Sequence, residues 1–266
     1  MDESQIKQMV RARYGGIAAA SEISAGCAPA ASSCCGLAAD PDEKSQRMGY
    51  SAAELAAVPD GANLGLGCGN PQAIAAIRAG ETIVDLGSGA GFDCFLAARQ
   101  AGPHGRVIGV DMTHEMLAKA RDNAARIGAI NVEFRLGELE HLPIADNIAD
   151  VVISNCVINL VPDKAQVFRE AFRVLKPGGR IAVSDIVNIA PLPADLAADP
   201  ALLCGCVAGA ASVARIAEWL AAAGFADVRV AAKPETRELI ASWAPSKGIE
   251  NYVASAAIEA RKPAAA

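Results

Sequence analysis

Only 4% of the 266 residues are aromatic, and only three are histidine. Acid–base chemistry built on imidazole therefore has little to draw on. His104, His114 and His141 fall on expected turns or helix faces and take no role in the reading that follows. There is no run of Lys or Arg, and the net charge is −6. That argues against a nucleic-acid partner, because phosphate neutralisation needs clustered cations. No uncharged apolar segment is long enough to span a bilayer, and residues 1–8 carry no apolar signal core. No C-x-x-C pair occurs, so the usual structural-zinc signature is missing. These absences lead to the expectation of a soluble, cytoplasmic protein with neither a membrane nor a nucleic acid as partner.

Eight cysteines are present: Cys27, Cys34, Cys35, Cys68, Cys94, Cys156, Cys204 and Cys206. A disulfide scaffold does not suit a cytoplasmic chain of this size. Cys94 reads as a small buried hydrophobe on a helix. Most of the others do not, because Cys34-Cys35 and Cys204-Gly205-Cys206 stand in Ser-, Gly- and Ala-rich, loop-like sequence. Cys68 belongs to Gly65-Leu66-Gly67-Cys68-Gly69-Asn70-Pro71, too rich in glycine for a strand. Loops are more often the home of reactive groups than packed elements are.

The rest of the chain is organised around Val84-Asp85-Leu86-Gly87-Ser88-Gly89-Ala90-Gly91. A buried strand at 83–86 enters a glycine turn and leaves as a helix at 92–100. Glycine lets a ligand lie flat on the backbone, and the turn aims helix amides at it. The dinucleotide fingerprint G-x-G-x-x-G does not fit, because Phe92 stands where its third glycine belongs. The Asp85 carboxylate at the strand tip repels a pyrophosphate and suits a cationic ligand.

Strands are expected at 106–110, 131–136, 150–154, 180–187, 227–232 and 252–260, alternating through the core with helices at 114–127 and 163–175. With the strand at 83–86 they make an α/β fold with a mostly parallel, seven-stranded sheet and helices on both faces. Ligands of such a sheet lie beyond the carboxyl ends of its strands. Asp85, Asp111, Met112, Gly137, Glu138, Asn155 and Cys156 all fall there. Asp111 is expected to accept ribose hydroxyls, and Glu138 an adenine amino group. Ahead of this core, residues 4–14 read as an amphipathic helix ending at Gly15-Gly16, followed by an arm carrying Cys34 and Cys35. Ser51 and Glu54 read as a capping box whose helix stops at Pro59, and a further helix is expected at 72–79. Residues 188–210 read as a cap. The expected divisions are 1–71 for the N-terminal helices and arm, 72–187 for the core, and 188–266 for the cap and last strands.

The motif D-x-G-x-G-x-G resembles the first motif of Rossmann-like S-adenosylmethionine (SAM) methyltransferases. Several further segments, among them Tyr14-Gly15, Gly67-Cys68-Gly69-Asn70-Pro71, Ser154-Asn155-Cys156-Val157-Ile158-Asn159-Leu160 and Cys206-Val207-Ala208-Gly209-Ala210, make nearly the whole chain resemble bacterial arsenite SAM methyltransferases. The cysteine-bearing segments are the more specific part of the match. The resemblance implies a cofactor site of Asp85, Gly87, Ser88, Gly89, Asp111, Met112, Gly137, Glu138 and Asn155. It implies As(III) ligation by Cys68, Cys156 and Cys206, with the context of Cys206 favouring it over Cys204. It also implies disulfide chemistry at Cys34 or Cys35, reopened by an external thiol reductant such as thioredoxin or glutathione.

The chemistry suits the residues. As(III) is soft and selects thiolates. Three of them leave the arsenic lone pair free as nucleophile, and no proton has to be removed from arsenic. The expected function is therefore methyl transfer from SAM to arsenite and to methylated As(III) substrates, as a detoxifying reaction. One rival is a methyltransferase acting on carbon or oxygen of another small molecule, which has no use for three thiols. The other is an As(III)-binding protein without turnover, which has no use for intact SAM motifs.

Overall fold

The computed structural model describes residues 2–23 and 40–265. Cys27, Cys34 and Cys35 lie outside the described residues.

The central sheet is built from β1 (Thr82–Leu86), β2 (Arg106–Asp111), β3 (Val132–Leu136), β4 (Ala149–Asn155), β5 (Leu175–Asn188), β6 (Ala211–Ser212), β7 (Ala226–Lys233) and β8 (Val253–Arg261). Their spatial order is β3-β2-β1-β4-β5-β8-β7, with β6 beside β5. The pairs from β3 to β5 are parallel, and β8 runs antiparallel to both β5 and β7. Eight strands therefore replace the seven expected. The extra one, β6, is two residues long and exists only by pairing with the end of β5, which no sequence pattern announces.

Alternation along the strands divides the core between two layers. Val84 and Leu86 pack with Val167 and Phe168 of α7 (Lys164–Val174) and Ile216 and Leu220 of α10 (Val213–Ala223). Ile83 faces the other way, against Phe95 of α5 (Phe92–Ala101) and Leu117 of α6 (His114–Ile127). Strand order reverses between β1's two neighbours, β2 and β4, which opens the crevice where such sheets hold ligands.

Several expected boundaries move. Helix α1 (Glu3–Ile23) runs straight through Gly15-Gly16. A Cβ on Gly15 would lie 3.1 Å from the Glu115 carboxylate, so this glycine permits close packing on α6. Helix α2 (Pro41–Arg47) starts at a side-chain cap from Asp40. The capping box of Ser51 and Glu54 is present, yet its helix α3 (Ala52–Leu55) is a single turn. Helix α4 (Gln72–Ala75) stops short of residue 79, at Ala76, whose φ of 46° is incompatible with continuing the helix. The turn at 176–179 shifts the register between β4 and β5, with Gly178 at φ 81°. The cap contains α8 (Ala194–Ala197) and α9 (Pro200–Cys204), and α11 (Arg237–Ala241) follows β7. Among the described residues no helix is long and apolar enough to cross a membrane.

Candidate active site

Two features meet at the carboxyl edge of the sheet. The first is a cavity over the β1–α5 turn, walled by Asp85, Gly87, Ser88, Gly89, Asp111 and Asn155 among others. Gly87, Gly89 and Gly91 hold φ of 72°, 51° and 93°, the left-handed region that a Cβ disfavours. A Cβ on Gly87 would also sit 2.5 Å from Val157. Asp111 accepts the Gly89 amide at 3.0 Å through one oxygen and the Thr113 amide at 2.8 Å through the other, so it braces the turn while facing the cavity. The Ser88 hydroxyl is buried there without a hydrogen-bond partner. An orphaned hydroxyl and two carboxylates fit a polar, cationic ligand such as SAM.

Behind the turn, Asp85 is buried and accepts the Cys94 thiol at 3.2 Å. Burial and the neighbouring Asp93 carboxylate push its acid well above the usual range. Cys94 is thus buried as expected, but it also serves as a donor. Asp93 accepts Tyr50 Oη at 2.7 Å, Gln72 Nε2 at 3.2 Å and Asn155 Nδ2 at 3.2 Å. Asn155 also donates to the Gly69 carbonyl at 2.9 Å, and its Oδ1 accepts the Cys68 amide at 3.0 Å. This residue, expected at the cofactor, therefore also ties the cavity wall to Cys68.

The second feature is a cluster of buried thiols. Cys68, Cys156 and Cys206 are each under 10% exposed. Cys206 Sγ donates to the Cys156 carbonyl at 2.9 Å, and the Cys68 thiol reaches the Ser184 carbonyl at 3.6 Å. The thiol atoms of Cys68 and Cys156 and a carboxylate oxygen of Asp185 lie within 4.8 Å of one another. Gly67 and Gly69 flank Cys68 because the chain is pressed between neighbours. A Cβ at Gly67 would stand 2.6 Å from Asn155, and one at Gly69 would stand 2.9 Å from Ser184. Burial raises the Cys68 thiol to about 11, against a hydrogen bond with Cys156 that lowers it. For Cys156 the hydrogen bond from Cys206 lowers the value, and contact with Cys68 together with burial outweighs it. The Cys206 thiol is pushed well up by its hydrogen bond to Cys156 and by burial. All three are protonated at neutral pH. Of the three, Cys156 also lines the cofactor cavity, so it joins the two features.

Cys204 is buried nearby, but its backbone carbonyl is occupied by Tyr14 Oη at 3.2 Å, and Cys206 is the one whose thiol engages Cys156. Met112 lies on the cavity wall as expected. Gly137 and Glu138 line an adjoining open groove with Arg11 and His114, which shares Met112 and Thr113 with the cavity. Glu138 is held there by Lys7 at 2.6 Å and Arg11 at 2.5 Å, cations from α1 that no local pattern near Glu138 reveals. The acid on the cavity wall in that stretch is Glu140.

Sequence reasoning missed Asp185. It sits near the carboxyl end of β5, where the rule that picked out Asp111 would also have found it. Asp185 is buried and accepts the Ile158 amide at 3.0 Å, the Ile186 amide at 2.7 Å and Asn159 Nδ2 at 2.9 Å. Burial raises its acid to about 7 despite those donors.

Residues 77–224 match the family model described as a methyltransferase domain. The arsenite methyltransferase of Halobacterium salinarum is 53% identical over 99% of this chain and 68% of its own length. The arsenite methyltransferase of Aquipseudomonas alcaligenes is 46% identical over 54% of this chain, which spans 43% of that relative. Among solved structures, the arsenic(III) SAM methyltransferase of Chlamydomonas reinhardtii superposes with a TM-score of 0.61 at 31% identity, covering 85% of this chain and 74% of that one. With the glycine-turn cavity and the buried thiols already side by side, these likenesses decide the family: the chain belongs to the arsenite methyltransferases, within the SAM-dependent methyltransferase class.

Proposed function

We propose that this protein transfers the methyl group of SAM to As(III) held by Cys68, Cys156 and Cys206. The observation that carries this reading is the position of Cys156, which lines the cofactor cavity, lies close to the Cys68 thiol and accepts the Cys206 thiol at its carbonyl.

The raised thiol acids are compatible with loading. Each hydroxide of arsenious acid leaves as water with one thiol proton, so three thiols and As(OH)3 give a neutral tris-thiolate and three waters without an external base. Thiolate ligation makes arsenic more electron-rich than its hydroxide form, which favours attack through the lone pair. Asp85, Ser88, Gly89 and Asp111 hold the cofactor, which when bound supplies an electrophilic methyl on a sulfonium. Reacting atoms held at roughly 3–3.5 Å and in line suffice for transfer. Methylation formally gives As(V). Coupling of two thiolates as a disulfide returns an electron pair to arsenic, and thioredoxin or glutathione reopens the disulfide. We assign Cys34 or Cys35 to that exchange, and we place the protein in the cytoplasm, where such reductants are found. In this reading residues 72–187 are the cofactor core and carry Cys156, and 1–71 and 188–266 bring Cys68 and Cys206 to it.

The test is arsenic speciation after incubating the protein with arsenite, SAM and a thiol reductant. Methylated arsenic in proportion to protein is the expected result, and its degree of methylation names the product. Arsenite bound but never methylated overturns the proposal in favour of sequestration. Replacing both Cys34 and Cys35 is expected to spare methylation of an already methylated, two-thiol substrate more than that of arsenite.

A further inference from the structure

The thiol cluster has a fourth donor that As(III) does not need. A tris-thiolate arsenic centre is trigonal, and its remaining position is the lone pair. A carboxylate oxygen of Asp185 is within 4.8 Å of both the Cys68 and Cys156 thiols, and the Cys206 thiol engages Cys156. Asp185 Oδ2 accepts the Ile158 amide at 3.0 Å, and the backbone of Asn159 also donates to this carboxylate. Backbone amides at Ile158 and Ile186 and the amide group of Asn159 fix the carboxylate in place. Two sulfurs and one oxygen thus already lie within one ligand sphere, and the third sulfur, that of Cys206, adjoins it through Cys156 and joins by a side-chain rotation.

We propose that Cys68, Cys156, Cys206 and Asp185 form a tetrahedral site for a thiophilic divalent cation, Zn2+ or Cd2+, which excludes arsenite from the same thiols. Tetrahedral coordination by sulfur and carboxylate oxygen is the ordinary preference of Zn2+, whereas As(III) gains nothing from the carboxylate. Binding forms three metal–sulfur bonds and one metal–oxygen bond and releases the three thiol protons to solvent. Three thiolates, one carboxylate and a dication leave a net charge of −2, the same as in four-thiolate zinc sites. Lys164 acts on Asp185 and Lys233 on Cys68 as nearby positive charges, which offset part of it. Cation binding rests on the side-chain cluster alone; only the exclusion of arsenite rests on the function proposed above.

The experiment uses the full chain, reduced, with Zn2+ alone as probe. X-ray absorption of the one-to-one complex is expected to give three sulfurs at about 2.3 Å and one oxygen at about 2.0–2.2 Å. A shell of four sulfurs, or the absence of one-to-one binding, overturns the proposal. Asp185→Asn is expected to lower Zn2+ affinity by roughly 10- to 100-fold and to leave As(III) affinity within about threefold. Equal losses for both overturn it too, because Asp185 would then serve only to position the thiols. If Asp185→Asn does not fold, the wild-type absorption spectrum still decides. Zinc inhibition of methylation that is relieved by added arsenite is expected as well. A protein that binds zinc this way but never methylates arsenite would overturn the function and leave the site standing.

Discussion

Cys206 donates its thiol to the backbone carbonyl of Cys156 at 2.9 Å, and both residues hold left-handed φ, 64° and 60°. That conformation costs a non-glycine residue on the order of 1–2 kcal/mol. Two strained cysteines facing each other mean that the surrounding packing, more than local preference, sets the spacing of the thiols. Without its thiol, Cys156 has only the strain left. Cys156→Gly is therefore expected to be about 0.5–1 kcal/mol more stable than Cys156→Ala, even after glycine's greater freedom in the unfolded chain is counted. Urea titrations of the two variants check it, and equal stabilities would mean that the backbone there is relaxed.

Asn155 joins the two halves of the site through Cys68, Gly69, Tyr50 and Asp93. Asn155→Ala leaves the Cys68 amide and the Asp93 carboxylate short of partners, a cost of about 2 kcal/mol. The expected outcome is weaker As(III) binding, since Cys68 loses its register to Cys156. Arsenite affinity and urea stability, measured on the same preparation, separate this from a purely structural loss. An unchanged arsenite affinity would show that Cys68 is placed by its other contacts.

At Gly87 two obstacles to a side chain coincide: a φ of 72° and a Cβ position 2.5 Å from Val157. Gly87→Ala is expected to lose most SAM binding. Adding Val157→Gly removes the collision, because the Val157 Cβ itself would stand 2.8 Å away and an alanine would keep it, but leaves backbone strain of about 1–2 kcal/mol at position 87. The double variant should therefore recover affinity in part only. Full recovery would assign the whole effect to the collision.

With its acid at about 11, Cys68 is present as thiolate in roughly one molecule in a thousand at pH 8. A cysteine at 9.0 would be near one in ten. Iodoacetamide labelling of Cys68, followed site by site by mass spectrometry, is expected to rise about tenfold per pH unit from pH 7 to 10. A plateau below pH 9 would contradict this. The direction is that of a thiol whose neutral form the fold favours: its contribution to stability is complete at low pH and is lost as pH rises through 11.

The legible parts of the chain are those governed by local rules. Helix α6 and the β1–turn–α5 unit follow from periodicity and glycine placement, and they stand where the pattern put them. The thiols at 68, 156 and 206 were visible as residues, and the structure brings them together. What stayed hidden depends on distant partners. Gly15 reads as a stop until Glu115 is set against it. Glu138 reads as a free acid until Lys7 and Arg11, more than a hundred residues earlier, claim it. The left-handed backbone at Cys156 and Cys206 leaves no trace in composition, because neither position carries a residue that favours it.

Helix α1 touches the β3 side through Lys7 and Arg11, walls the cavity with Val10, and reaches the cap where Tyr14 meets Cys204. These partners lie downstream in the chain, as far as residue 204. Emerging ahead of those surfaces, α1 finds α6 and Glu138 first and cannot complete its docking until the segment around residue 204 arrives. Its native contacts are long-range and costly in loop closure. Completion of the chamber should therefore come late in folding, and a nascent chain stalled before residue 204 should carry α1 only partly docked, the face around Tyr14 open to chaperones and proteases.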